Sequence, residues 1–412
     1  MGNFNSKTVI SQCLNWLDIP EWICSFLDYR TQKLTCRAAI LLGIEAQLSG
    51  RQDPESIVYN LQVDDELKAL TGLTSLSASQ FSRGLNEMPT FLLQYLLQSV
   101  SCDVQAKLRE ARPGARTDKT IPKLSIIDSS SIPLPEFHGK WAYCSKDRNS
   151  VKLHLRLSTE WPDLAIPNKV ILSTGAVTDS EVAVELVTEQ GTTYVMDRGY
   201  INYAHYKKWL DSGILFVARL QTKNKTRILE TRLTPEEESD LLLDADVLIQ
   251  VTKKPETTIK LRLVEFKDEK NRVYRLITSN WELTAREIAD IYRERWGIEL
   301  FFKWMKQNLH LSKLYSYKPN AVWNQIYLAL IAHALCVLVK LHTGAKQGLC
   351  QILKLMRVYI SRSWEMLLAA LFREPTKTSQ GRRKKPKRGR KRLHPEKKKG
   401  IKVIIRSEEN NQ

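Results

Sequence analysis

Tyr292, Arg295, Glu299 and Lys306 lie within Ile-Tyr-Arg-Glu-Arg-Trp-Gly-Ile-Glu-Leu-Phe-Phe-Lys-Trp-Met-Lys, residues 291–306. The run reads as one helix. At about 100° per residue, Arg295 falls about 60°, Glu299 about 20° and Lys306 about 40° to one side of Tyr292. These polar groups share roughly one sixth of the circumference. Around them the sequence is apolar, with Ile298, Leu300, Phe301, Trp304 and Met305. A solvated face would be broad. A narrow ionic stripe suits a helix lining a cleft for a charged ligand, and one carboxylate among two cations and a phenol suits a metal ion beside phosphates.

Further carboxylates stand where such a ligand needs them. Leu124–Asp128 reads as a short buried strand that ends at Asp128. Val151–Leu157 alternates strictly as a half-buried strand does, and Val170–Ser173 forms a third strand. Ser180–Glu189 reads as a helix, Tyr194–Asp197 as a fourth strand, Asn202–Asp211 as a helix and Ile214–Arg219 as a fifth strand. This order gives a mixed α/β sheet covered on both faces. Ligands of such sheets sit at the carboxyl ends of strands, which singles out Asp128 and Asp197 from Asp147, Asp163 and Asp179 nearby. Asp197 also precedes an Arg-Gly-Tyr turn. Asp128, Asp197 and Glu299 can together hold two divalent ions about 3.5–4 Å apart. Oxygen donors select Mg²⁺, or Mn²⁺ in its place, rather than zinc. Ser129 and Ser130 read as turn groups and His333 as a core residue, since no Ser–His spacing suggests a nucleophile.

The remaining chain frames these groups. With 412 residues and 43% hydrophobic content, two or three globular domains are expected. A net charge of +18 calls for a polyanionic partner. Cysteines 13, 24, 36, 102, 144, 336 and 350 form no Cys-x-x-Cys pair and fit a reducing compartment. No secretory pattern opens the sequence, and Met-Gly-x-x-x-Ser is too short a match to signal myristoylation. The apolar run Ile326–Leu341 carries His333 and Lys340 and reads as a core helix, too short to span a bilayer. The expected location is the cytoplasm, on the nucleoid, with no membrane partner.

Residues 1–118 read as a helical DNA-binding domain. Within it, a helix at Asp64–Leu70, a turn at Gly72 and a helix capped by Ser77 suggest a helix-turn-helix, or a plain helical hairpin. In the first case Ser79, Gln80 and Arg83 would face base edges. Residues 119–372 form the catalytic domain, with an inserted antiparallel β-rich subdomain at about 221–278. Residues 373–412 form a basic, disordered tail. From Lys377 to Arg406 there are fifteen Lys and Arg against one acid, Glu396. Such a run binds phosphate backbones independently of sequence, lies on a membrane surface, for which no amphipathic apolar partner accompanies it, or is merely solvated.

The spacing Tyr292-x-x-Arg295-x-x-x-Glu299-x-x-x-x-x-x-Lys306 resembles the Tyr-Arg-Glu-Lys signature of bacterial insertion-sequence DDE transposases, the IS-four family. Asp128-Ser-Ser and Asp197-Arg-Gly-Tyr are similar to that family's other catalytic blocks, and the likeness spans about residues 120–345. The resemblance implies an RNase H-like core with Asp128, Asp197 and Glu299 as catalytic metal ligands. It implies Tyr292, Arg295 and Lys306 on phosphates of the element end, and dimers on double-stranded DNA. Trp296 and Trp281 are candidates to stack on a displaced base, against the commoner reading of core packing.

The function these features imply is cut-and-paste transposition: hydrolysis at the terminal inverted repeats, then joining of 3′-hydroxyls to target DNA. Second-strand cleavage through a DNA hairpin follows from the same resemblance. The alternatives are another RNase H-like nuclease, or an inactive transposase acting as a DNA-binding protein.

Overall fold

The computed structural model describes residues 7–374 apart from Gln32, 112–122, Asp147, 159–163, 222–225, 234–239, 254–255, His310 and Ser312. The basic tail therefore lies outside the described residues.

The chain opens with helices α1 (Val9–Asn15), α2 (Glu21–Leu27), α3 (Cys36–Ser49), α4 (Pro54–Val63), α5 (Asp65–Thr71), α6 (Ala78–Glu87) and α7 (Thr90–Ala111). Local chemistry sets their ends. Thr8, Thr35, Asp53, Asp64 and Ser77 each accept a backbone N–H at a helix start. Gly72 closes α5 at φ 70°, a left-handed conformation that costs a glycine little. Ser77 and Gln80 form a capping box. The Gln80 carbonyl oxygen accepts from Ser77 N at 3.0 Å. Gln80 is thus engaged by its own helix, whereas Ser79 and Arg83 are exposed.

The sheet follows, as β1 (Lys123–Leu134), β2 (Tyr143–Ser145), β3 (Arg148–Ser158), β4 (Ile166–Thr174), α8 (Asp179–Leu186), β5 (Thr192–Met196), α9 (Tyr203–Asp211), β6 (Leu215–Arg219), β7 (Arg227–Leu233), β8 (Leu241–Lys253), β9 (Glu256–Lys267) and β10 (Val273–Thr278). Ten strands form one sheet in the order β2-β3-β1-β5-β6-β10-β9-β8-β7, with β4 also on β3. β1, β5 and β6 are parallel, and the other pairings are antiparallel. The paired parts of the parallel strands are largely buried on both faces, mostly by apolar residues, with the small polar Ser125, Thr192 and Thr193 among them.

Two differences from the sequence expectation concern this sheet. β1 does not stop at Asp128. Its parallel ladder with β5 ends at Ile127↔Met196, but it continues on β3 through Leu134↔Asn149. The polar run Ser129–Ser131 concealed that continuation. Nor is the β-rich insertion a separate sheet: β10 bonds to β6 at Leu276↔Arg219 through Thr278↔Val217, which extends the core sheet.

The pleat sorts side chains between two cores. Ile126, Val195, Val217 and Leu276 join the core that also holds α7 and the later helices. Their neighbours Ile127, Met196, Ala218 and Ile277 join the core under α8 and α9. Those later helices are α10 (Ala285–Glu294), α11 (Trp296–Asn308), α12 (Pro319–Thr343), α13 (Leu349–Tyr359) and α14 (Trp364–Leu371). α12 has the length and hydropathy of a membrane span, longer than the apolar run suggested, but 94% of its most apolar window is buried inside the fold. It is the common core of the molecule. Asn324 donates to the carbonyls of Leu85 and Met88 at 2.7 and 2.8 Å, which fixes the end of α6. The opening helices and the sheet thus share one hydrophobic core, and Met1–Phe372 form a single compact unit.

The passage from β10 into α10 is tied down by a buried ion pair. Arg262 on β9 forks onto Asp244 of β8 with bonds of 2.8 and 2.7 Å, and also donates to the Leu283 carbonyl at 2.5 Å. Both side chains are under 5% exposed. Asp244→Ala would leave the guanidinium buried without its carboxylate. The expected cost is about 3–5 kcal/mol, measured by urea unfolding, with Asp244→Leu/Arg262→Met recovering most of it. A loss under about 1 kcal/mol, on the scale of surface pairs, would show that the pair does not anchor this junction.

Candidate active site

Asp128 and Asp197 reach one place because of strand parity. Asp128 lies two residues beyond Ile126, and Asp197 two beyond Val195. Side chains of a strand repeat every second residue, so both carboxylates point toward the core face that α10 and α11 cover. Asp197 directly follows β5 and precedes a 3-10 turn at Arg198–Tyr200, without a capping bond from its side chain. Arg219, two residues beyond Val217 on β6, arrives on the same face, with Nη1 3.8 Å from Asp197 Oδ1.

The striped segment is two helices rather than one. Arg295 carries αR dihedrals between α10 and α11, and short i→i−3 bonds flank it: Arg295 N to the Tyr292 carbonyl at 3.1 Å, Ile298 N to the Arg295 carbonyl at 3.2 Å. Gly297, a poor helix former, follows two residues later in the first turn of α11. The capping box of Thr284 and Glu287 starts α10. Although the helix is broken, the stripe still converges on the strand ends. Tyr292 is buried, and its hydroxyl donates to Asp197 Oδ1 at 3.3 Å. Arg295 bridges two carboxylates, with Nη1 3.4 Å from Asp128 Oδ2 and Nη2 2.5 Å from Glu299 Oε1. Lys306 lines a cleft of about 480 Å³ together with Asp128, Ser129, Ser130 and Glu299. The apolar surround is less complete than the sequence implied, since Leu300 is 52% and Trp296 59% exposed. Core packing is therefore not the role of Trp296; Trp281 is half-buried.

The electrostatics follow from this crowding. Burial pushes the Asp128 carboxyl up to about 6, against the Ser129 N–H and Arg295, and the charges of Asp197 and Asp179 push the same way. Burial also raises the Tyr292 hydroxyl well above its ordinary value. Among the described residues, no group of three or more His, Cys, Asp or Glu is gathered closely enough to hold a metal ion as it stands. Asp128 and Glu299 meet through Arg295, while Asp197 is held by Tyr292 and Arg219. The donor set nevertheless fits a hard divalent ion. It consists of carboxylate oxygens, partly exposed on one face, whose mutual repulsion favours a cation. Arg295, an expected phosphate ligand, is here the cation that balances them.

Other expected residues separate from the site. Gln80 and Arg83 lie on α6, in the opening helices. His333 is buried in α12 and packs edge-on against Phe301 and Trp304, and its burial holds it down to about 3. A group that the sequence reading missed lies beside Trp296. Lys267, Lys270, Arg272, Arg286 and Arg293, with Asp240, Asp268 and Glu269, line a cavity of about 840 Å³. Arg286 and Arg293 are seven residues apart, which places them on one helix face, and both pair with Asp240. That spacing was available in the sequence.

Residues 119–335 match the family model described as a transposase DDE domain. The chain is 30% identical over 274 residues to a probable transposase for insertion sequence element IS5377 from Geobacillus stearothermophilus, covering 65% of this chain and 68% of that protein. It is 27% identical over 206 residues to a transposase for insertion sequence element IS4SA from Synechocystis sp., covering 47% and 56%. Among solved structures, a piggyBac transposase synaptic complex with hairpin DNA aligns at TM-score 0.42 and 11% identity, over 89% of this chain and 80% of that one. The family match runs from β1 through the α10–α11 stripe and leaves one assignment: this chain belongs to the DDE-domain transposases of insertion sequences.

Proposed function

We propose that the protein excises its insertion sequence by hydrolysing phosphodiester bonds at the element ends, and joins the freed 3′-hydroxyls to target DNA. The observation that carries this reading is that Arg295 bridges Asp128 and Glu299 while Tyr292, one helical turn before it, bonds Asp197, all beside the end of the parallel strands. The strand order β4-β3-β1-β5-β6, antiparallel for the first three and parallel for the last three, supports an RNase H-like core. Asp128, Asp197 and Glu299 are the residues that would hold divalent ions, Mg²⁺ or Mn²⁺. Held there, such ions would supply the Lewis acidity that activates a water or 3′-hydroxyl and stabilises the leaving oxygen.

The protein's own groups supply position and charge. Lys306, on the cleft wall, presents a point charge to a phosphate. Arg295 can exchange its two carboxylates for two phosphate oxygens when DNA arrives, since the same planar fork fits both. Tyr292 fixes Asp197 through its hydroxyl, and Arg219 buttresses the same carboxylate. Trp296 offers an exposed ring beside a cationic cavity, a surface on which a base can stack. Catalysis by a dimer on DNA, and backbone binding by the basic tail, belong to the same proposal.

Asp128→Asn, Asp197→Asn and Glu299→Gln should each abolish Mg²⁺-dependent cutting of a duplex carrying the element end, while end binding in a gel-shift assay stays within about threefold. Equal loss of binding in all three would remove the metal-ligand assignment. Cutting without joining of labelled ends to a plasmid would indicate a nuclease instead, and binding without cutting by the wild type a DNA-binding protein.

Arg295→Met separates the two uses of the guanidinium. Losing a charge-assisted phosphate contact should weaken end binding by about 10- to 100-fold. Mn²⁺ binding by the free protein should stay the same or tighten, because a cation competing for Asp128 and Glu299 has gone. Weaker Mn²⁺ binding with intact DNA binding would reverse this account.

A further inference from the structure

The ladder that joins β1 to β5 ends one residue before Asp128 and Asp197, at Ile127↔Met196. Backbone bonds no longer fix the spacing of the two strands where both carboxylates project. A side chain bridges that gap on the opposite face. By parity Ser129 points away from α11, on the side of Ile127 and α8. Its hydroxyl donates to Asp179 Oδ1 at 2.8 Å. Asp179 is the first residue of α8, which Thr178 and Glu181 start with a capping box. Its other oxygen faces the turn after β5: a Cβ built on Gly199 would stand 3.1 Å from Asp179 Oδ2. One carboxylate thus bonds the residue after Asp128 and lies beside the turn two residues after Asp197, close enough that a Cβ at Gly199 would crowd it.

Asp179 is itself fixed from β3. Lys152 Nζ donates to Asp179 Oδ1 at 3.2 Å and to the Val177 carbonyl at 2.9 Å. The fully buried His154 places Nδ1 3.7 Å from the same Oδ1, while its Nε2 meets Ser173 Oγ at 2.8 Å. Asp128 Oδ1 in turn accepts from Ser129 N at 2.8 Å. The line of contacts runs Lys152, Asp179, Ser129, Asp128. A mere surface ion pair would not require the close approach that Gly199 permits.

We propose that Asp179 is a positioning residue, which holds the Asp128 strand and the Asp197 turn at the separation a divalent ion needs. This inference rests on the reading of Asp128 and Asp197 as metal ligands. Asp179 acts through Ser129 and the Gly199 turn and need not touch the ion or DNA. Partners of this kind alter metal affinity by about 10- to 100-fold when removed.

The test is Mn²⁺ titration of the full-length protein followed by electron paramagnetic resonance, with thermal melting and end-duplex binding measured alongside. Asp179→Ala should weaken Mn²⁺ binding about 10- to 100-fold and leave binding to the duplex within about threefold. Asp179→Asn, whose amide oxygen still accepts from Ser129, should recover most of the affinity. Ser129→Ala should weaken it several-fold, and Asp179→Ala/Ser129→Ala should be no worse than Asp179→Ala alone, as one chain of contacts requires. Asp128→Asn is the control. If it loses Mn²⁺ binding while Asp179→Ala keeps wild-type affinity, the positioning role is overturned and the metal reading stands. If Asp128→Asn also binds as wild type does, the metal reading itself fails. Should Asp179→Ala not fold, Ser129→Ala decides: unchanged Mn²⁺ affinity overturns the proposal. An Asn variant as weak as the Ala variant would also overturn it, since charge on Lys152 rather than the Ser129 contact would then matter.

Discussion

Carboxylates brought together at the end of a parallel ladder repel one another, and the fold around them is arranged to contain that repulsion. Asp128, Asp197 and Asp179 crowd the ends of β1 and β5, and the charges of the other two raise the cost of ionising Asp128. The cations that answer them come from three directions. Arg295 enters from the α10–α11 junction, Arg219 from β6 and Lys152 from β3. Each stands on the face its strand parity or helix position dictates, so the balance of charge is set by the pleat before any ligand is considered. Arg295 is the element of this balance that, on the proposed function, a phosphate would displace.

The helices that bring Arg295 and Glu299 to the strand ends need an abutment, and the extended sheet supplies it. β10 is bonded to β6, so the strands beyond it are rigidly part of the core rather than a loose insertion. Arg262 and Asp244 lock the turn between β10 and α10. Tyr274 of β10 packs near Tyr292 at 6.0 Å between ring centres, with the Arg219 guanidinium 4.4 Å over its ring. The β-rich region therefore places Tyr292, and through Tyr292 it fixes Asp197. On the other side α12 fills the core between α11 and the opening helices, which leaves α11 free to expose its ionic edge and the adjoining Trp296 and Leu300.

Much of this was legible in the residues. Gly72 and Ser77 announced a turn and a helix start because their chemistry is local. The four-residue stripe announced its own convergence because helical spacing is local too, even though the helix breaks at Arg295. What stayed hidden depended on pairing between distant segments. Ser129 and Ser130 look like turn groups in sequence and become strand only because β3 offers a partner from Arg148 onward. The continuity of the sheet at β6 and β10 required two segments far apart in the chain to meet. Gln80 looked outward on a helical wheel, but its amide reached the nearer unsatisfied N–H of Ser77.

Asp179 shows the limit most clearly. By type and spacing it is one aspartate among several after a strand, and its position at a helix start explains it adequately as a helix-dipole partner. Only the parity of β1 makes it distinctive. Because Asp128 faces α11, Ser129 must face α8, and the first residue of α8 then meets the hydroxyl beside Asp128. The same two-residue period that gathers the site on one face of the sheet thus obliges its support to come from the other. On the proposed reading, a site built on strand ends of this kind is held from both faces, by α11 on the side of the ligand and by α8 on the side of the support.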